Sequence, residues 1–204
     1  MDSAINFNAP DALLVGRLCE KAADRAAVIT HPHPLYGGDM DNPVVMVIAK
    51  AYQQSGWSTL RFNFRGTGQS QGRYVEGNSE ITDIQAAIDT LHARGFTRID
   101  LAGYSFGAWA LARWSQKHRD HAQRLILVAP PVAFMDFQEV GSITGLTCII
   151  AAGRDELAPP GRIETLLPAW QPEAELKIIP AADHFFWQHF KALHQALITA
   201  ISRD

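Results

Sequence analysis

A serine flanked by glycines, Gly103-Tyr104-Ser105-Phe106-Gly107, stands directly after the strand-like run Ile99–Ala102 and directly before a helix-like run over residues 108–118. A strand that turns at once into a helix leaves no room for bulky neighbours, which is why glycine suits both flanks. Such a turn strains the serine backbone and lifts Oγ clear of the sheet. The helix that follows aims its first N–H groups at the place where negative charge would develop. The chemistry is that of an activated serine nucleophile attacking an acyl carbon. A free serine hydroxyl is a poor nucleophile, so a base and an acid must accompany it.

Eight histidines compete for the role of base. His92, His118, His121 and His189 fall on or near helix surfaces, and His194 lies near the buried stripe of the last helix. His184, in Ala181-Ala182-Asp183-His184-Phe185-Phe186, follows the last strand-like run, where a ligand-facing loop is expected. Imidazole takes and returns a proton near neutral pH. For the acid, Asp155 in Ala152-Gly153-Arg154-Asp155-Glu156-Leu157 follows the preceding strand. It would fix the imidazole tautomer and stabilise the imidazolium. Glu156, Asp183 and Asp136 are its rivals. His31-Pro32-His33 places two imidazoles on one face of an extended segment, but no second cluster has ligand spacing, so a metal is not expected. The glycines between residues 66 and 72 run G-x-G-x-x-x-G and lead into no prompt helix, which does not fit a nucleotide fingerprint. That loop instead reads as a buttress, with Arg65 tied to carbonyls or a carboxylate.

The elements that must position these groups alternate along the chain. Strands are expected at 13–18, 26–30, 58–63, 99–102, 125–128, 147–151 and 176–179, and helices at 43–54, 79–94, after Ser105, at 162–167 and from Phe186 to Ile201. Leu125-Ile126-Leu127-Val128 and Cys148-Ile149-Ile150 are continuous apolar runs, as in a parallel sheet covered on both faces. The rhythm gives a doubly wound α/β architecture of about seven strands, with ligands at the carboxyl ends of the strands. At 204 residues, 1–204 reads as one domain. A net charge of −3 without a basic block offers nothing to nucleic acid, and the apolar runs are too short to span a bilayer. The first residues lack the basic and apolar regions of a signal peptide, so a cytoplasmic location with Cys19 and Cys148 as buried thiols is expected.

Together, His31-Pro32-His33-Pro34-Leu35-Tyr36-Gly37-Gly38, Met40-Asp41-Asn42, Phe62-Asn63-Phe64-Arg65-Gly66, the Ser105 motif, Asp155-Glu156-Leu157 and Ala182-Asp183-His184-Phe185-Phe186 resemble the small lidless bacterial α/β-hydrolases with an H-P-x-P-x-x-G-G loop. Relatives usually show Gly-Asp-x-Asp where this chain has Ala152-Gly153-Arg154-Asp155, which leaves Glu156 as the alternative acid. The resemblance implies an α/β-hydrolase fold without a cap, a Ser105–Asp155–His184 triad in the expected order, and hydrolysis of small carboxylic esters without a cofactor. In that fold the two oxyanion donors come from the residue after the nucleophile, here Phe106, and from the loop after the second predicted strand. Pro32 and Pro34 have no N–H. His33 or Leu35 remains, with His33 the first choice.

Only about sixteen residues separate the fifth and sixth predicted strands, too few for a cap, so an open site is expected. Its apolar wall would draw on Leu35, Tyr36, Met40, Phe134, Phe137 and Phe186. The expected partner is a small-molecule ester, for a monomer or homodimer with no nucleic acid and no membrane. The same triad would also serve a thioesterase or an acyltransferase, and a binding protein could retain the fold.

Overall fold

The computed structural model describes residues 2–75, 78–119 and 124–202, with no description of the Asn78 side chain. The sequence expectation for His121 lies outside the described residues. Eight strands form one sheet: β1 Ser3–Ala9, β2 Ala12–Cys19, β3 Arg25–Thr30, β4 Ser58–Phe62, β5 Arg98–Tyr104, β6 Arg124–Val128, β7 Leu146–Ala152 and β8 Glu175–Ile179. Their spatial order is β1-β2-β4-β3-β5-β6-β7-β8. The first two pairings, β1 with β2 and β2 with β4, are antiparallel, and all the others are parallel. Among the described residues five α-helices accompany the sheet: α1 Pro43–Gln54, α2 Asn78–Ala93, α3 Phe106–Lys117, α4 Pro160–Trp170 and α5 Phe190–Ile201. This is the α/β-hydrolase fold, mostly parallel and without a cap.

Local sequence accounts for the elements. Asn42 caps α1 by accepting the Val44 N–H at 2.9 Å, and Pro43 takes N1, where its missing N–H costs nothing. In α2, Ile81, Ile84, Ile88 and Leu91 form the buried stripe. Gly95 ends that helix at φ 92°, while Phe96 N–H reaches back to the Leu91 carbonyl at 3.1 Å. The central strands β3 and β6 are buried almost throughout, as their apolar runs require, and β4 is buried too although it carries Ser58, Thr59 and Arg61. Their burial, with that of β5 and β7, makes the core one continuous cluster.

Two expectations need correction. About seven strands were expected and the sheet has eight; β1 is the one for which no strand was placed. Its residues alternate polar and apolar because it is an edge strand with one half-exposed face, so it lacks the apolar run that marks the interior strands. The hairpin to β2 is closed by Pro10 and Asp11, with Asp11 at φ 61°. The last helix starts at Phe190, not Phe186; residues 185–189 form tight turns with Phe186 at φ 55° and Gln188 at φ 64°. Cys19 and Cys148 are buried free thiols.

Candidate active site

Ser105 sits where β5 becomes α3, with φ 54° and ψ −118°, a conformation that costs a non-glycine residue about 1–3 kcal/mol. The flanking glycines are set by close approach. A Cβ on Gly103 would lie 2.6 Å from the Gly107 carbonyl and from Thr30 Oγ1, and one on Gly107 would lie 2.6 Å from the Thr30 carbonyl oxygen. The end of β3 therefore presses on the elbow from one side. Ser105 is the N-cap residue of α3, yet its hydroxyl makes no capping bond. It faces His184 instead, with Oγ 2.9 Å from Nε2.

His184 Nδ1 lies 2.7 Å from Asp155 Oδ2. The second carboxylate oxygen of Asp155 accepts N–H bonds from Leu157 at 2.9 Å and Ala158 at 2.8 Å. These bonds orient the carboxylate without competing for the oxygen that meets the imidazole. Glu156 points to solvent, and Asp183 turns its carboxylate to the Phe185 and Trp187 N–H groups. Asp136 caps the Gln138 N–H. Ser105, His184 and Asp155 are all buried.

The loops that hold the acid and the base are tied together. Gly153 N–H bonds to the Ile179 carbonyl and Arg154 N–H to the Ala182 carbonyl, both at 2.9 Å. A Cβ on Gly153 would meet the Pro180 carbonyl oxygen at 2.4 Å, so the shifted glycine of this segment is where the two loops touch. From the nucleophile side, Tyr104 Oη donates to the His184 carbonyl at 3.0 Å. Burial pushes the Tyr104 phenol well above its ordinary pKa, aided by the nearby Asp155 and Asp183 charges, so it remains a donor.

The loop after β3 folds back on itself. The His33 carbonyl accepts N–H bonds from Tyr36 at 3.1 Å and Gly38 at 3.0 Å, and Gly37 takes the left-handed φ of 78°. A Cβ on Gly38 would lie 2.2 Å from the Pro32 carbonyl oxygen, so only glycine permits this closure. Leu35 N–H is already engaged by His33 Nδ1 at 3.2 Å. Phe106 occupies the first helical position of α3, where a backbone N–H has no partner within the helix.

His31 anchors this loop from beneath. Its Nδ1 donates to the Pro32 carbonyl at 2.7 Å, and its Nε2 accepts the Phe64 N–H at 3.0 Å. The two partners require the neutral Nδ1–H tautomer. Burial lowers the pKa to about 4; the Pro32 carbonyl partly opposes the shift and the neighbouring His33 adds to it. A protonated His31 would turn an N–H against the Phe64 N–H. Because the unfolded chain protonates this imidazole near pH 6.5 and the folded chain only near 4, stability falls as pH drops through that window. The His31 contribution amounts to about 3 kcal/mol between pH 4 and 7. Urea titrations across that range should show this increment in the native chain and its absence in His31→Gln. Identical pH slopes for the two proteins would remove His31 from the account.

Beside the loop, Tyr74 Oη lies 3.1 Å from His33 Nε2. Arg65 is fixed by Asp83 through contacts of 2.6–3.2 Å and by the Thr82 hydroxyl at 3.0 Å, which matches the buttress expected of the segment after β4. Burial works against the Arg65 charge, but the Asp83 hydrogen bonds and charge outweigh it and raise the guanidinium pKa.

A cavity of about 340 Å³ opens over Ser105. Of the residues expected in its wall, Tyr36 and Phe134 line it, together with His33 and Phe106. Four expected wall residues do not. Leu35 projects into solvent, since the turn at residues 34–36 directs it outward. Met40 is buried where its backbone is clamped by Asn63 and Arg61, and Phe186 is wholly buried behind the His184 loop. Phe137, the sixth candidate, packs on Trp170 in the core at a ring distance of 5.2 Å. In their place Asn42, Tyr104, Pro131, Met135, Leu157 and Phe185 reach the cavity. Leu157 and Phe185 each lie within two residues of Asp155 or His184, a proximity that could have marked them. Among the described residues, no group of three or more His, Cys, Asp or Glu is placed to hold a metal, and no helix is long and apolar enough to cross a membrane.

The family described as serine aminopeptidase S33 matches residues 43–140, a span that includes Ser105 but ends before Asp155. An uncharacterized protein of Rickettsia prowazekii is 32% identical over 96% of this chain and 88% of its own length. A structure of an alpha-beta serine hydrolase homologue from Coxiella burnetii superposes with a TM-score of 0.88 and 32% identity, covering 98% of this chain and 97% of that one. A serine hydrolase without a lid from Xanthomonas campestris gives the same TM-score at 29% identity, over 98% and 93% of the two chains. Likeness of this extent, along nearly the whole sequence and around the same capless sheet, places the chain in the α/β family of serine hydrolases.

Proposed function

We propose that the protein hydrolyses small carboxylic esters through an acyl-enzyme on Ser105. The observation that carries this reading is the unbroken line Asp155–His184–Ser105, with 2.7 Å and 2.9 Å contacts, at the floor of an open cavity. His184 Nε2 takes the Ser105 proton as Oγ bonds to the ester carbonyl carbon. The carbonyl becomes an oxyanion held by the N–H groups of Phe106 and His33; Leu35, whose N–H is engaged by the His33 ring, is not the second donor. The tetrahedral intermediate collapses, the bond to the alkoxy oxygen breaks, and His184 gives its proton to the leaving alcohol. Water, deprotonated by His184, then attacks the acyl carbon; the acid leaves and Ser105 regains its proton. Asp155 stabilises the transient imidazolium throughout.

The cavity lining supports an ester over its competitors. No Asp, Glu, Lys or Arg is among the described residues that line it. An aminopeptidase substrate brings an α-ammonium that needs a carboxylate, and an acyl-CoA brings phosphates that need cations. Burying either charge without a partner costs about 3 kcal/mol or more, roughly 10²-fold in kcat/KM. p-Nitrophenyl butanoate should therefore be hydrolysed at least about 10²-fold more efficiently than alanine p-nitroanilide or butanoyl-CoA. A preference for either of the latter two would overturn the ester reading.

A further inference from the structure

The shape of the cavity wall extends the ester reading, on which the following inference rests, to the class of substrate. The described surface exposes nine large apolar side chains. Four of them, Tyr36, Phe134, Leu157 and Phe185, line the one cavity that contains Ser105. Exposing such side chains is unfavourable, and a contiguous group of them around a nucleophile marks a binding surface. They stand on separate segments. Tyr36 comes from the turn after β3, Phe134 from the segment after β6, Leu157 from the Asp155 loop and Phe185 from the His184 loop.

The rings are set at angles to one another. Tyr36 meets Phe134 edge-on at 5.8 Å between centroids and 70°, and His33 meets Tyr36 at 4.8 Å and 63°. His33 also meets Phe106 at 5.2 Å and Phe134 at 6.2 Å. From the His184 loop, Phe185 stands at 88° to the His184 ring, 5.5 Å away. A flat ring entering among these rings meets edges and faces together, the arrangement that aromatic pairs favour over sandwich stacking. A saturated ring of the same size fills the same volume without that gain. The cavity, of about 340 Å³, has room for a group the size of such a ring.

We propose that this site takes uncharged esters bearing an aromatic ring next to the scissile bond, held among Tyr36, Phe134, Leu157 and Phe185. The ring adds about two- to tenfold to kcat/KM over its saturated counterpart.

The test compares four methyl esters by pH-stat: 3-phenylpropanoate, 3-cyclohexylpropanoate, propanoate and the singly charged half-ester of adipic acid. Benzyl acetate and cyclohexylmethyl acetate probe the alcohol side. A phenyl-to-cyclohexyl ratio above about two in at least one pair, with the charged half-ester the poorest substrate, is the expected result. Tyr36→Ala and Phe134→Ala should bring that ratio close to one. Both side chains are substantially exposed, so the variants should fold, and the ratio is unaffected by any common loss of rate. Ratios at or below one in both pairs would overturn the aromatic preference while leaving the esterase reading intact, as would a half-ester that outruns the neutral esters. Hydrolysis of none of the esters by a protein that a fluorophosphonate labels on Ser105 would overturn both.

Discussion

Ser105→Ala is expected to lower kcat for ester hydrolysis by about 10⁴–10⁶ while leaving the fold intact. The loss is this large because Oγ both forms the covalent intermediate and delivers the proton that His184 later returns. Without it only the oxyanion donors and binding remain. Stability should hardly change. Ser105 is held at φ 54° by the contacts that pin Gly103 and Gly107, and its hydroxyl caps nothing in α3. The variant therefore gives up one hydrogen bond to an imidazole and relieves no packing. Intact-mass analysis after exposure to a fluorophosphonate, with peptide mapping, provides the check. One adduct on Ser105 in the native chain, absent from Ser105→Ala and strongly slowed in His184→Ala, is the expected pattern. A folded native protein that takes no adduct would show that the aligned groups do not act as a nucleophile.

Asp155→Asn carries the second large effect, a fall in kcat of about 10⁴. The amide can keep accepting the Leu157 and Ala158 N–H bonds through its oxygen. Its NH2 group then faces His184 Nδ1, so the imidazole is driven to the tautomer that places a proton on Nε2. That atom must accept the serine proton at 2.9 Å and can no longer do so. Glu156→Gln should leave kcat within about twofold, because Glu156 is exposed and the residue that meets the imidazole is Asp155. Comparing the two variants at pH 7.5 on one ester decides between the neighbouring acids. A larger loss in Glu156→Gln would mean that the loop rearranges when substrate binds.

The parts of the site nearest the nucleophile were legible because their chemistry is local. Gly103 and Gly107 announce a close approach, and the aspartate and histidine follow successive strands. Asn42 and Pro43 fix the start of α1 in the same local way, since a cap acts over three residues. What was not legible depends on the directions in which loops point. Leu35 and Tyr36 are neighbours in a single turn, yet one faces solvent alone while the other lines the cavity, and nothing in their side chains differs enough to decide it. Met40 and Phe186 have the composition of a binding wall but are consumed by the core, Met40 through the Asn63 and Arg61 clamps on its backbone. The edge strand β1 escaped notice because its alternation is that of a half-exposed surface, and only its pairing with β2 makes it a strand. Tyr104 is hidden in a different way. It is the variable position of the motif, and its bond to the His184 carbonyl links residues 80 positions apart.

The cavity stands open to solvent with no cap above it, and this bears on how any acyl group held on Ser105 would leave. No hinge has to swing before a product departs, so turnover should track bond making and breaking and be indifferent to solvent viscosity. Nor can the protein keep water away from the acyl carbon while a slower, rarer alcohol arrives. Transfer to an acceptor demands such shelter. Water is then the most abundant nucleophile within reach of an acyl group on Ser105, which favours the proposed hydrolysis over transfer.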